Sequence, residues 1–233
     1  MANSDSAFKL AFDLLSSGDA GLWQVVGLSV YVSGLATLLA MVLGGTIAGF
    51  LAVSRFPGKR IVLTLFRTMT GLPAVVVGLI VYLLLSRSGP LGVFGLLFTP
   101  GAMVIAQTVL LTPLVVALSH DILDQRWRII GDLLRAYKFG PLQCLLTLAI
   151  ESRVLLTTVA LAAFGRAIAE VGAVMIVGGN IEGYTRVMTT AIALETTRGN
   201  LPLALGLGLI LLLIALLVNV ASSLATANSM GSR

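Results

Sequence analysis

The chain has 233 residues, of which 58% are hydrophobic and 11% charged, with a net charge of +5 and a mean hydropathy of +1.03. Soluble domains carry about 25% charged residues, so this composition excludes an ordinary soluble enzyme and indicates a membrane protein. A single cysteine and a single histidine exclude a disulfide framework and a His-rich metal site. The basic residues lie in short loops, so they do not indicate nucleic-acid binding.

Long apolar runs predict an all-α polytopic membrane protein, because only helices and closed barrels satisfy their backbone groups in lipid. Residues 1–21 are predicted to form an N-terminal interfacial segment. The transmembrane domain is predicted at 22–226, and a polar tail at 227–233. Its spans are predicted at about 22–53, 61–85, 99–118, 154–177 and 201–221. The apolar stretch 90–100 is too short to cross, but it leaves a sixth crossing open.

The distribution of Lys and Arg predicts the orientation, because cytoplasmic loops carry an excess of them. The turn after the first span and the loop 120–153 hold Arg55, Lys59, Arg60, Arg126, Arg128, Arg135, Lys138 and Arg153. The opposite side holds Lys9, Arg87, Arg186 and Arg198. With five spans, this distribution predicts an N-terminus outside and a C-terminus in the cytoplasm.

Three charged residues fall inside the predicted spans: Arg67, Arg166 and Glu170. A charge at the bilayer centre costs about 2.5–3.5 kcal/mol or more, so such a residue usually faces a partner or water. Arg67 is near the end of its span, and we expect it to reach the membrane interface. Arg166 and Glu170 are four residues apart and can pair on one helix face. That pair is either structural or lines and gates a hydrated path.

Gly71-Leu72-Pro73 falls within the predicted second span, where proline should kink the helix. The kink serves either packing or a bent helix that lines a pore. The polar segment 180–200 suits an amphipathic helix that rests on the bundle, docks an external partner or acts as an outer gate. The chain has no phosphate-binding loop. We therefore predict no catalytic residue, metal ligand or bound cofactor, and no ATP hydrolysis by this chain itself.

The loop 120–153 contains Leu134-Arg135-Ala136-Tyr137-Lys138-Phe139-Gly140. A polar, helix-capable segment between spans indicates a docking site for a soluble partner. Its spacing resembles the cytoplasmic-loop motif of permease subunits of bacterial binding-protein-dependent ABC importers. That motif has Glu-Ala-Ala, three residues, Gly, nine residues and then Ile-x-Leu-Pro. Ala136, Gly140 and Ile150 match it, whereas Leu134, Arg135 and Ser152-Arg153 differ.

The segment from Phe164 to Thr196 is similar to oxyanion permeases, and to tungstate importer permeases in particular. Gly71-Leu72-Pro73 with Val75 to Leu79 resembles the same group. The resemblance covers nearly the whole chain and implies a type I ABC importer bundle in the bacterial cytoplasmic membrane. It implies a homodimer, two cytoplasmic ATPase subunits that hold ATP and Mg²⁺, and an external binding protein.

The same resemblance implies transport of tungstate, with molybdate, sulfate or another anion as alternatives. Thr108, Thr112 and Asn180, with backbone N–H groups at kinks, are then expected to supply neutral hydrogen-bond donors along the path. Gly71, Pro73, Arg166 and Glu170 are the other candidate residues of the path or its gate. Gly140 would end the coupling helix and turn the chain. An ATPase-independent channel or ion-coupled carrier, and a membrane anchor without transport, stay open as other classes of function.

Overall fold

The computed structural model describes residues 20–231, with side chains up to Leu224. The predicted interfacial segment 1–21 lies outside this range except for its last two residues, which begin the first helix. The regular elements within the range are helices. They are α1 (Ala20–Val53), α2 (Lys59–Met69), α3 (Ala74–Leu85), a 3₁₀ turn (Gly92–Phe94), α4 (Pro100–Ala136), α5 (Pro141–Glu151), α6 (Arg153–Ile168), α7 (Gly172–Gly178), α8 (Met188–Thr197) and α9 (Leu201–Gly231).

Three of the described helices, α1, α4 and α9, are long and apolar enough to cross a membrane. The number rises to five if the broken pairs α2/α3 and α5/α6 each count as one span. The prediction of an all-α polytopic membrane protein is therefore confirmed. The stretch 90–100 forms only a three-residue 3₁₀ turn within its length, which is far too short for a crossing.

Helix α4 is longer than the predicted third span. It has 37 residues and continues to Ala136, so the first half of the predicted loop 120–153 is helical. Leu123, Trp127 and Leu134 recur at helical spacing and share one buried cluster. This apolar face continues through the charged residues, which is why the helix does not stop where the hydrophobic run ends.

Two predicted spans are broken. The second was expected to be one kinked helix, but α2 ends at Met69 and α3 begins at Ala74, with Pro73 extended before it at φ −62° and ψ 124°. The fourth is also interrupted, since α6 ends at Ile168 and α7 begins at Gly172. Continuous helices at these two places are therefore wrong. Each break leaves main-chain groups that need other partners.

The described chain divides into two compact units. The first comprises residues 20–36, 73–107 and 166–217, and the second comprises 37–72, 108–165 and 218–231. In the first unit α3 packs closely on α7. A Cβ atom at Gly78 would lie 2.8 Å from Cα of Ala173, so the close approach requires glycine. The core of the second unit is a cluster of buried side chains: Ala48, Ala52, Leu123, Trp127, Leu134, Cys144 and Leu148.

Candidate functional site

The corner between α4 and α5 contains the predicted coupling segment. α4 ends at Ala136, where the amides of Lys138 and Phe139 donate to the carbonyls of Arg135 at 2.9 Å and Leu134 at 3.1 Å. This pair of bonds is a Schellman motif, which places the residue after the C-cap in the left-handed conformation. Lys138 adopts that conformation, with φ 55°. The expectation that Gly140 ends the helix is therefore wrong, because Lys138 does so.

Gly140 begins the next helix instead. Its backbone is extended, with φ −68° and ψ 163°, at the N-cap of α5. Its amide donates to the side-chain oxygen of Gln143 at 2.8 Å. Pro141 follows at the first helical turn, where an amide has no intrahelical partner. A Cβ atom at Gly140 would meet only Gln143 Oε1, 3.7 Å away, so the fold does not require glycine here.

The side chains of this corner divide into a buried anchor and an exposed surface. Leu134 is 6% exposed and packs in the cluster of the second unit. Arg135 places its guanidinium 5.0 Å from the ring centre of Trp127 and 3.1 Å from the carboxylate of Asp132. The exposed members are Arg135, Ala136, Tyr137, Lys138 and Phe139, together with Ile150 near the end of α5. The corner thus exposes an aromatic and basic surface, while Leu134 holds it against the core of the second unit.

Arg166 and Glu170 form the ion pair that their spacing predicts, at the break between α6 and α7. Arg166 Nη1 lies 2.6 Å from Glu170 Oε2. The other carboxylate oxygen accepts the amides of Gly172 at 2.9 Å and Ala173 at 3.4 Å. The side chain of Glu170 is 5% exposed and that of Arg166 45%. Both oxygens of the Glu170 carboxylate therefore accept hydrogen bonds. Arg166 has no further partner within the described residues, so its other N–H groups can donate to another group.

Side chains from α4 and α8 bind main-chain carbonyls at the same break. Gln107 donates from Nε2 to the carbonyl of Ala167 at 3.0 Å, and Thr189 donates its hydroxyl to the carbonyl of Glu170 at 2.8 Å. Non-helical backbone at membrane depth needs such partners. Neither Gln107 nor Thr189 is among the sequence-predicted site residues. Gln107 could have been identified from the sequence, because a polar amide side chain inside a predicted span usually binds a partner.

A small cavity adjoins this break. Its polar lining comes from Ser29, Ser33, Gln107, Glu170 and Thr189. The volume is about 10 Å³, which is near the minimum for one water molecule. The side-chain oxygen of Gln107 is buried without a partner among the described residues. The cavity is therefore polar, but it is too small for a tetrahedral oxyanion in this conformation.

Asn180 lies in the turn that follows α7. It is left-handed, with φ 52°, and its amide nitrogen lies 3.5 Å from the carbonyl of Thr190. Further along this loop, Thr185 donates to the carbonyl of Gly178 at 2.6 Å. The loop leads to α8, where the amide of Met188 donates to Ser29 Oγ at 2.8 Å. The predicted amphipathic helix is therefore built into its unit through buried contacts.

The other predicted path residues are not among the hydrogen-bond partners of the ion pair. Thr108 is buried in α4, and the hydroxyl of Thr112 donates to the carbonyl of Thr108 at 2.7 Å. Gly71 and Pro73 are exposed between α2 and α3. The second unit holds Gly71, Thr108 and Thr112, and the first holds Pro73, Arg166, Glu170 and Asn180. Within this set, the direct partners are Arg166 with Glu170, through their side chains, and Thr112 with the carbonyl of Thr108.

Known proteins are similar to the chain over most of its length, although no protein-family model matches it. It is 41% identical over 212 residues to the tungstate uptake system permease protein TupB of Peptoclostridium acidaminophilum, covering 91% of this chain and 93% of that protein. It is 42% identical over 214 residues to a probable anion ABC transporter permease protein of Haloferax volcanii, covering 88% and 92% of the two chains.

A second tungstate uptake system permease protein TupB, from Campylobacter jejuni, is 38% identical over 212 residues, covering 91% of this chain and 89% of that protein. The similarity is lower to the molybdenum transport system permease protein ModB of Escherichia coli K12. That protein is 31% identical over 180 residues, covering 72% of this chain and 77% of its own length.

Proposed function

Because the chain belongs to the permease subunits of anion ABC transporters, a family that includes tungstate uptake permeases, we propose that it forms the membrane pathway through which tungstate enters the cell. The choice of tungstate is carried by the identities of 41% and 38% to two tungstate permeases over 91% of this chain. The molybdenum permease reaches 31% over 72% of the chain. The chain is a multi-pass membrane protein, and ATP with Mg²⁺ belongs to a separate ATPase subunit.

The exposed corner at 136–142 is the surface that this proposal gives to the ATPase. Tyr137, Phe139 and Leu142 are 70%, 42% and 67% exposed, although all three are large and apolar or aromatic. Aromatic side chains such as Tyr137 and Phe139 are enriched at protein interfaces. Leu134 fixes the corner to the core of its unit, so a displacement of the corner by the ATPase would pull directly on α4. Gly140 would then leave room for the partner's surface.

The proposed orientation places this corner and the turn after α1 in the cytoplasm. The excess of Lys and Arg in these two segments supports it. The N-terminus is then outside and the C-terminus inside. Two copies of the chain are proposed to enclose the pathway, since three to five spans are few for a single subunit. An external binding protein would deliver the anion to the opposite face.

Within the pathway, Arg166 is the proposed contact for the anion. Its guanidinium keeps donors available while Glu170 holds one of its nitrogens at 2.6 Å. The pair is neutral overall, which suits a transporter that must release its substrate, because a strong anion site would retain it. Thr112 and Asn180 are weaker candidates, since both already bind carbonyls of the chain.

Reconstituted transport tests the substrate and the coupling together. The permease, its ATPase and its binding protein are placed in proteoliposomes, and uptake of tungstate, molybdate and sulfate is measured by elemental analysis. We expect uptake to depend on ATP. We also expect tungstate to be taken up at lower external concentrations than molybdate or sulfate. Uptake without ATP would overturn the proposed function. A preference for molybdate or sulfate would overturn tungstate as the substrate.

Two variants test the proposed residues. Gly140→Leu should lower ATPase co-purification and uptake about tenfold, whereas Gly27→Leu, at an exposed glycine of α1 with no atom near its Cβ position, should change neither. Arg166→Gln should lower uptake while ATPase binding stays intact. Arg198→Gln is its control, because Arg198 also pairs with a buried glutamate, Glu195, at 3.1 Å. Equal effects of Arg166→Gln and Arg198→Gln would contradict a contact specific to Arg166.

A further inference from the structure

Helix α2 differs from the other parts of the predicted spans. It has 11 residues, and none of them is buried. At 1.5 Å per residue it is about 16 Å long, roughly half of the hydrocarbon thickness of a bilayer. Four non-helical residues separate it from α3. The helix therefore neither crosses a membrane by itself nor belongs to the core of its unit.

The side chains of α2 are sorted around the helix. Ile61 and Leu65 are four residues apart and lie on one flank, where they are 76% and 58% exposed. Arg60 and Arg67 are seven residues apart and lie together on another flank, where they are also exposed. An apolar flank beside a basic flank is the pattern of a helix that lies in the plane of a membrane surface.

The basic residues of this segment differ in their partners. Arg67 pairs with Asp121 at 2.7 Å and Lys59 with Asp124 at 3.6 Å, which joins α2 to α4. Arg55 and Arg60 are exposed and have no acidic partner within the described residues. The sequence contains no Asp or Glu from position 20 to position 120, so no acid close in sequence offsets these two charges, and Asp121 and Asp124 pair with Arg67 and Lys59 instead.

We propose that α2 lies in the membrane interface, with Ile61 and Leu65 in the acyl boundary and Arg55 and Arg60 on the phosphates of anionic phospholipids. Anionic lipid is a suitable partner for both flanks at once, because its acyl chains are apolar and its headgroups are negatively charged. The ion pairs to Asp121 and Asp124 then connect the lipid-bound helix to α4. This inference requires only that the chain is a membrane protein, and it does not depend on the transported anion.

Depth measurements on the full-length chain test the in-plane orientation. In a Cys144→Ser background, spin labels are introduced one at a time at Arg60, Ile61, Thr64, Leu65 and Thr68 by substitution with cysteine. Accessibility to oxygen and to a water-soluble nickel complex is measured in phosphatidylcholine vesicles containing phosphatidylglycerol. Labels at 61 and 65 should be deep and labels at 60 and 64 shallow, and the label at 68 should be close in depth to the label at 61, because residues seven apart share a flank of the helix. Depth that increases steadily from 60 to 68 would overturn the proposal, because it indicates a helix that enters the bilayer.

Lipid binding tests the headgroup contact. Phosphatidylglycerol retained by the purified permease is compared with phosphatidylcholine by native mass spectrometry for Arg55→Gln, Arg60→Gln and the double variant. We expect the preference for phosphatidylglycerol to fall about fivefold per arginine. Arg87→Gln, at an exposed arginine outside this segment, should leave it unchanged. An equal fall in Arg87→Gln would overturn the proposal, because it indicates an effect of overall charge. A spin label at position 60 that becomes inaccessible to the nickel complex only when the ATPase is bound would also overturn it, because the ATPase would then be the partner of this flank.

Discussion

The hydroxyl of Thr189 in α8 donates a hydrogen bond to the main-chain carbonyl of Glu170, 2.8 Å away at the break between α6 and α7. Both residues are buried, and Thr189 is 6% and Glu170 5% exposed. The bond satisfies a carbonyl that lies outside the regular helices. It therefore makes the broken backbone compatible with a buried position.

Thr189→Val should destabilise the protein, because valine keeps the shape but leaves this carbonyl without the hydroxyl. A buried acceptor that loses its partner costs about 1–3 kcal/mol. Thermal unfolding in detergent measures the change. Thr196→Val is the matched control in the same helix, since the hydroxyl of Thr196 is exposed and donates to the carbonyl of Ile192. Equal stability of the two variants would show that the bond to Glu170 contributes nothing.

Glu170→Gln should destabilise by about 2 kcal/mol, because the charged hydrogen bond from the half-exposed Arg166 is lost while an acceptor for the amides of α7 is kept. Glu170→Ala should cost more, since it removes that acceptor as well. Glu182→Gln serves as the control. Glu182 also pairs with an arginine, at 3.3 Å, but it is 82% exposed, so less than about 0.5 kcal/mol is expected. Chemical denaturation followed by tryptophan fluorescence checks the order of the three.

Lys138→Gly should raise stability by about 1 kcal/mol, because a side chain in the left-handed region is strained and glycine is not. Lys138→Val should lower it, since a β-branched residue is disfavoured there. Gly140→Ala should be nearly neutral, because position 140 is extended and its Cβ has room. Unfolding temperatures of the three variants provide the measurement. A destabilised Gly140→Ala with an unchanged Lys138→Gly would reassign the left-handed helix end to Gly140.

Leu134→Ala should cost about 2–5 kcal/mol, the range for removing a buried leucine from a packed core. Leu133→Ala is the adjacent control, because Leu133 is 57% exposed and Leu134 6%. Leu134→Glu, which restores the residue of the related loop motif, should also destabilise, since it buries a charge. If Leu134→Glu were as stable as the native chain and bound the ATPase more tightly, Leu134 would be a docking residue instead of a packing residue.

The amino-acid sequence by itself determines the class of the protein and most of its apolar helices. Composition and the length of the hydrophobic runs require an all-α membrane protein, because lipid admits few other structures. The spacing of Arg166 and Glu170 also predicts their pairing, and the pair forms although α6 ends at Ile168, two residues before Glu170. These features depend on interactions that are local along the chain, so they can be predicted without knowledge of the fold.

Tertiary structure decides where helices continue and where they break. α4 passes through the charged residues after position 120 because Leu123, Trp127 and Leu134 bury one face in a shared cluster. The break after Ile168 is supported by Gln107 and Thr189, which are distant in sequence. Leu134 occupies a docking position in the motif, yet it is buried, and Lys138 takes the turn expected of Gly140. Each of these outcomes depends on partners that only the folded chain brings within hydrogen-bonding or packing distance.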